Sequence, residues 1–453
     1  MRKPLLFICL LLFSTVETPA QTSDAQTVPL PSATRPRIVG APSPTPPAQS
    51  APPTPNSPAK VVTPTVVPTA PPQPVQPLPY GKVKTKLEEA KRALRSRPKL
   101  TAAGNSATFF VTLTAYDPAT SQLHLIALPK QTFLTPGAET TVSTSNGKLV
   151  RVRILRPNYV NTAVEITDVA TGRHLAPLVV EYPIEKGGAF REMAYYVSAH
   201  PALLTDDLVR AGREYVRSMV DLAAKRLRDK GVSISPQILD IAERLCVVEH
   251  VDHDRFMRES RLKLFEEIYA LYGLNELDTY RYSVSSAGAG GMVQMIPSTY
   301  RMVRDRYPAI GLNPDFVLGM RNHGNALEAM LLYMRDTWND LAQDPDVAYA
   351  VSVGWATQDE LIAAGYNSNP ARLPSYIRRG GADWRALIPR ETQIYLQIYR
   401  ALDSLIPLER RADKAEKPKL ADSLEKPAKP TPLAPTGSAP LPSAIPGIGG
   451  PRL

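Results

Sequence analysis

The sequence predicts a multidomain chain in which a mainly α domain follows a small antiparallel β domain, the two framed by disordered Pro-rich segments. Three observations predict it. Proline accounts for 46 of 453 residues and is concentrated toward the two ends. Over residues 105–185, short runs of alternating apolar and polar residues are punctuated by turn dipeptides, the pattern of half-buried strands. Over residues 205–405, apolar residues recur at three- and four-residue spacing, the period of a helix face.

Residues 1–20 carry Arg2 and Lys3, then an apolar run over 5–13, then Thr18, Pro19 and Ala20. A basic start, a short apolar core and a small residue at the cut form a secretory signal pattern, and the run is too short to span a bilayer. The chain is therefore expected to be exported to the periplasm or cell envelope, with no transmembrane helix beyond the signal segment. Residues 21–81 form a Pro-rich linker, with eighteen prolines between Pro29 and Pro79. Such a composition favours extended polyproline-like backbone and buries no core. Residues 82–104 form a charged, helix-compatible connector.

In the β domain, strands are expected over 109–115, 123–128, 149–155, 163–169 and 178–182. Val150, Val152 and Ile154 alternate with Arg151 and Arg153. Turn signals at Asp117-Pro118, Pro136-Gly137, Asn146-Gly147 and Thr171-Gly172 separate the runs. A binding or spacer module is the expectation for this part. The tail, 406–453, returns to Lys, Pro, Ala and Ser and reads as disordered.

Net charge is +10. An exported basic protein favours anionic polymers such as cell wall or a membrane surface. No nucleic-acid motif accompanies the charge, so nucleic acid is not an expected partner. Cys9 lies in the signal and Cys246 is then alone, which excludes an internal disulfide and a cysteine metal site.

Within the α domain, Ser235-Pro236 is a helix start. Ile238, Ile241, Ala242, Leu245 and Val248 form an apolar stripe that Glu249 extends. A carboxyl group held on that stripe is desolvated and its pKa raised, as a general acid requires; at a frayed helix end it points into water instead. Downstream, SSAGAGGMVQMIP (285–297) places Gly288, Ala289, Gly290 and Gly291 before an apolar helix start interrupted by Gln294. Small residues permit close backbone approach, and a buried amide needs a partner. A tight turn with a satisfied core Gln and one wall of a binding cleft are both compatible with that stretch.

These residues, followed in order by AGYNSNP (364–370) and PRETQIY (389–395), resemble the goose-type lysozyme and soluble lytic transglycosylase family. The resemblance covers 235–402. It implies a lysozyme-like catalytic domain over 205–405 that cleaves the MurNAc–GlcNAc β-1,4 bond of peptidoglycan and leaves 1,6-anhydromuramyl ends. Glu249 is implied as acid then base, with Ser285, Gln294 and Tyr366 as substrate contacts and His250, Asn367, Glu391 and Tyr395 as cleft supports. No cofactor is implied; the expected partners are glycan strands and wall or envelope proteins. A non-catalytic wall-binding protein and a hydrolytic muramidase are the alternatives.

Three positions depart from the family pattern. His250 stands where the family has Ser or Thr, and Ser368-Asn369 replaces the usual Ala-Gly after the Tyr-Asn pair. Ser285 follows Glu249 by 36 residues where about ten are usual. The excess contains an expected amphipathic helix over 256–272, with Met257, Leu264, Ile268 and Leu271 on one face, read as a flap on the cleft. It also contains a rival carboxylate, Glu259, whose neighbours Arg255, Arg258 and Lys263 favour its ionised form. His250, Asp252, His253 and Asp254 lack a third well-spaced ligand, so no metal is expected. Trp338, Trp355 and Trp384 are left to core packing.

Overall fold

The computed structural model describes residues 78–96 and 108–411; the expected signal segment, nearly all of the Pro-rich linker and most of the tail lie outside them. A curled antiparallel sheet is followed by a mostly helical region.

The strands are β1 (Phe110–Asp117), β2 (Gln122–Pro129), β3 (Glu139–Ser143), β4 (Leu149–Arg156), β5 (Ala163–Asp168), β6 (His174–Lys186) and β7 (Ala189–Val197). Their order is β2-β1-β6-β5-β4-β3, with β7 also paired to β6. Long β6 joins the two halves: its start pairs with β5 at Leu175 and His174, and its remainder pairs with β1 and β7. Val180 and Tyr182 of β6 enter the interior of the sheet, whereas Ala176 and Leu178 enter a second apolar cluster on its other face. Both faces are covered, which explains an apolar run without strict alternation.

Two strands were not expected. The Glu-Thr-Thr-Val-Ser run of β3 is too polar to stand out and makes an edge. In β7, Phe190 is exposed and only Ala194, Tyr196 and Val197 are deeply buried. Gly187 and Gly188, both at positive φ, turn β6 into β7, the two-residue hairpin signal. The β unit thus ends at Val197 and not at 185.

The connector is also corrected. Helix α1 (Tyr80–Ser96) buries Val83, Leu87, Ala90 and Leu94, spaced three or four apart, against the sheet. Leu78 is buried with them, so packed chain already includes 78 and the linker does not extend to 81.

The remaining helices are α2 (Lys130–Phe133), α3 (Asp206–Asp229), α4 (Pro236–Val248), α5 (His253–Arg258), α6 (Arg261–Asn275), α7 (Pro297–Arg306), α8 (Phe316–Arg321), α9 (His323–Ala342), α10 (Pro345–Ser352), α11 (Gln358–Asn367), α12 (Leu373–Gly380) and α13 (Arg390–Leu405). Thr205 caps α3 by accepting the Leu208 N–H, so the helical region starts where its periodicity does. No helix among the described residues is long and apolar enough to cross a membrane.

The expected helix over 256–272 is two helices, broken at Glu259-Ser260, where Ser260 caps α6. Met257 is exposed on α5 and does not join Leu264, Ile268 and Leu271, which are buried on α6. Nor is α6 a flap. It is buried on nearly every side and contributes to all three apolar clusters: Leu271 to the sheet, Ala270 and Leu274 beneath α1, and Phe265, Ile268, Tyr269 and Tyr272 to the helical core. It crosses α3 so closely that a Cβ on Gly212 would lie 1.8 Å from the Tyr269 carbonyl oxygen. Arg156 of β4 pairs with Glu267 of α6 at 3.0 Å, and Arg321 of α8 with Glu192 of β7 at 2.7 Å. The sheet is therefore packed onto the helical region and is not a spacer.

At the other end, 406–411 is structured, against the expectation of a tail starting at 406. Ile406 is buried, Arg213 and Arg217 donate to the carbonyls of Pro407 and Glu409, and Arg411 reaches Asp240 and Glu243 on α4.

Candidate active site

Helix α4 is capped by Ser235, whose hydroxyl accepts the Ile238 N–H, and is buried from Ile238 to Val248. It ends by tightening: His250 and Val251 donate to carbonyls three residues back. Glu249, the C-cap, still has helical φ and ψ, donates its N–H to Leu245 O at 3.0 Å and is half-buried. The carboxylate is not left in water. The hydroxyl of Tyr395 on α13 donates to Glu249 Oε1 at 2.5 Å. Tyr395 itself is 1 % exposed, so the donor is fixed by core packing.

Burial pushes up the Cys246 thiol and the Tyr366 hydroxyl, and the nearby charge of Glu249 pushes both in the same direction. Cys246, fully buried, is an inert core residue.

Tied to this helix end through His250 is an arch over 283–296, where the sequence suggested a tight turn at 288–291 followed at once by an apolar helix start. The turn is present but longer, and helix begins only at Pro297. Ser285 N donates to Ala289 O, Gly290 N to Met295 O and Gly291 N to Ser283 O. Gln294 has φ 46°, a conformation that bulky residues adopt only when the surroundings enforce it. Gly291, at φ 69°, seats the arch against α8, where a Cβ would come 2.3 Å from the Met320 carbonyl oxygen. The close approach anticipated from the small residues is thus made to another stretch of backbone.

The arch gathers four of the eight site residues singled out in the sequence, Ser285, Gln294, His250 and Tyr366. Three successive carbonyls at its crown each accept a side-chain hydrogen bond. Gly291 O accepts from Gln294 Nε2 at 2.7 Å, Met292 O from His250 Nε2 at 2.9 Å and Val293 O from the Tyr366 hydroxyl at 2.7 Å. Since a carbonyl only accepts, His250 Nε2 carries a proton. Gln294 Nε2 also donates to Ser283 Oγ, whereas its Oε1 is buried with no partner. Ser285 Oγ accepts the Ala289 N–H at 2.9 Å and is 5 % exposed. Ser285, Tyr366 and His250 therefore shape the arch, and Gln294 keeps one unused acceptor. Asn367, at the end of α11, has a second buried and unpartnered oxygen, Oδ1. Glu391 lies in the first turn of α13, one helical turn before Tyr395.

The rival Glu259 has a different environment. Arg255 clamps it through Nε at 2.8 Å and Nη2 at 2.7 Å, and this hydrogen bonding holds its carboxyl below the ordinary range. Asp252 is occupied as the cap of α5, and no group of three metal-ligating side chains is present among the described residues. Trp384 is fully buried and donates to Trp355 O, while Trp338 and Trp355 pack against the same core. Two surface concavities, of about 340 and 270 Å³, lie on α1 and on the outer face of β5 and β6, and Glu249 lines neither.

Sequence reasoning missed Tyr280 and Ser283, which brace the arch from its N-terminal side. It also made Tyr395 a cleft support without assigning it to Glu249, although a tyrosine four residues after Glu391 on one helix face was the available signal. No protein-family model, no curated protein and no solved structure matches the chain.

Proposed function

We propose that the protein is an exported lytic transglycosylase that cuts the MurNAc–GlcNAc β-1,4 bond of peptidoglycan. The observation that carries this reading is the Glu249–Tyr395 contact at the end of a buried helix, which His250 ties to an arch with an unused amide oxygen. Protonated Glu249 gives its proton to the glycosidic oxygen as the C1–O bond breaks. The muramic acetamido oxygen bonds to C1 in the role that a second carboxylate plays elsewhere. Ionised Glu249 then takes the proton of the C6 hydroxyl; O6 bonds to C1, the acetamido oxygen leaves, and Glu249 is protonated again. Tyr395 fixes the rotation of the carboxyl group through both proton transfers. Export and a net charge of +10 suit an anionic polymer outside the cytoplasm.

A second reading, a wall-binding protein that does not cut, is motivated by His250 in place of the usual Ser or Thr and by the 36 residues that separate Ser285 from Glu249. Incubation of the intact protein with peptidoglycan sacculi, with products identified by mass spectrometry, separates the two. Anhydromuramyl fragments that disappear in Glu249→Gln and persist in Glu259→Gln are expected. Reducing ends would indicate a hydrolytic muramidase. Binding with no soluble fragment would reject cleavage altogether.

A further inference from the structure

We infer that His250 is a positioning residue which, with Tyr280, clamps the crown of the arch onto the helix end that carries Glu249. The inference rests on the glycan-cleaving reading only for its effect on turnover.

The imidazole of His250 lies flat on the ring of Tyr280, with centroids 3.3 Å apart and an interplanar angle of 2°. Its Nε2 donates to Met292 O, the middle carbonyl of the crown. One side chain thus joins the residue next to Glu249, the crown, and a residue from the segment between α6 and the arch. Tyr280 is itself held against its backbone preference. Its φ is 56°, a left-handed conformation that an aromatic residue keeps only when the surroundings enforce it. The enforcement is visible on three sides. Tyr272 of α6 meets the Tyr280 ring edge-on at 5.4 Å, the Tyr196 hydroxyl on β7 hydrogen-bonds the Tyr280 backbone, and His250 covers the remaining face. Three residues later the arch begins, with Ser283 N donating to Tyr280 O at 2.9 Å and Ser283 Oγ receiving Gln294.

The long segment between Glu249 and Ser285 and the histidine after Glu249 therefore act as one device. The segment supplies Tyr280, and His250 uses it as a backstop for the crown. A group bound by the arch has its distance to Glu249 set through this stack.

The test uses the full chain and four variants: His250→Phe keeps the stack and loses the donor, His250→Gln keeps a donor and loses the stack, Tyr280→Leu removes the stack, and Tyr280→Phe retains it. Hydrogen exchange at the arch amides of Ala289, Gly290 and Gly291 is compared with exchange in α9. Exchange in the arch is expected to quicken about tenfold in His250→Phe, His250→Gln and Tyr280→Leu, with α9 unchanged and Tyr280→Phe like the parent. On solubilised glycan strands, kcat falls by roughly 10²-fold in the three disrupted variants with KM nearly constant. Parental arch exchange in both His250→Phe and Tyr280→Leu overturns the clamp, as does a rise in KM at unchanged kcat. If the parent cuts no glycan, the catalytic reading fails by itself, and the exchange comparison still decides the clamp.

Discussion

Replacing Arg411 by alanine should destabilise the protein by about 3 kcal/mol at neutral pH. Arg411 Nη1 lies 2.7 Å from Asp240 and 2.8 Å from Glu243, whose side chains are 4 % and 3 % exposed. Removing one member of a buried ionic cluster leaves uncompensated charge and costs about 3–5 kcal/mol. The lower end applies because Arg217 still reaches Glu243 at 3.3 Å. The remaining arm, to half-exposed Asp221, adds less than about 1 kcal/mol. Urea unfolding of the parent and of Arg411→Ala measures the difference, with Arg410→Ala as a neighbour expected to change stability by no more than about 0.5 kcal/mol.

The pH dependence of this deficit supplies a second check. Burial holds the Glu243 carboxyl above its ordinary pKa, with Arg411 and then Arg217 opposing. A carboxyl whose folded pKa is raised binds more protons in the folded state, so its contribution is complete below the unfolded pKa and is lost as pH rises through the folded one. Without Arg411 that pKa rises further, and the deficit should widen between pH 5 and 7. A deficit that narrows over this interval, or one under about 0.5 kcal/mol at pH 7, would refute the ionic account.

Tyr395→Phe removes one hydrogen bond to a carboxylate, worth about 1.5–3 kcal/mol, and should lower turnover of solubilised glycan by roughly 10- to 100-fold with the circular dichroism spectrum unchanged. Gly291→Ala combines a φ of 69° with a Cβ 2.3 Å from the Met320 carbonyl oxygen. A drop of at least about 2 kcal/mol in unfolding free energy is expected, and parental stability would show that the arch can move away from α8. Burial lowers the His200 pKa to about 3 and that of His323 to about 4. Both histidines are neutral when folded, so the stability they confer is present above their unfolded pKa, near 6.5, and drains as pH falls toward 4. Thermal melts between pH 7 and 4 should show this loss, and His200→Gln should flatten it.

Much of the architecture was legible because its causes are local. Periodicity, the Ser235-Pro236 start and the Asn146-Gly147 turn are properties of neighbouring residues, and they located α4, β4 and the limits of the helical region. The errors fell where burial is decided by distant partners. Helix α6 is exposed only over its first turn and buried from 268 to 275 by the sheet, α1 and the helical core, so an amphipathic pattern read locally suggested a surface flap. The β7 strand is half exposed, and α1 looks charged until the sheet supplies a partner for its apolar stripe. At the site, residue identities could be chosen from the sequence but their tasks could not. Whether Tyr366 faces a ligand or the Val293 carbonyl depends on a turn at Gln294 that no propensity favours.

Because α6 contributes to the sheet, to the space beneath α1 and to the helical core, the helical half is not a portable module. Excising the sheet would bare Leu271, Ala270 and Leu274 to water, and the excised piece would lose the surface against which Tyr280 is set. Trimming is constrained at both ends as well: a shortened chain that folds should begin no later than Leu78 and end no earlier than Arg411. Variation between copies of such a chain is then expected in the Pro-rich flanks, while the crossing at Gly212 tolerates no added atom.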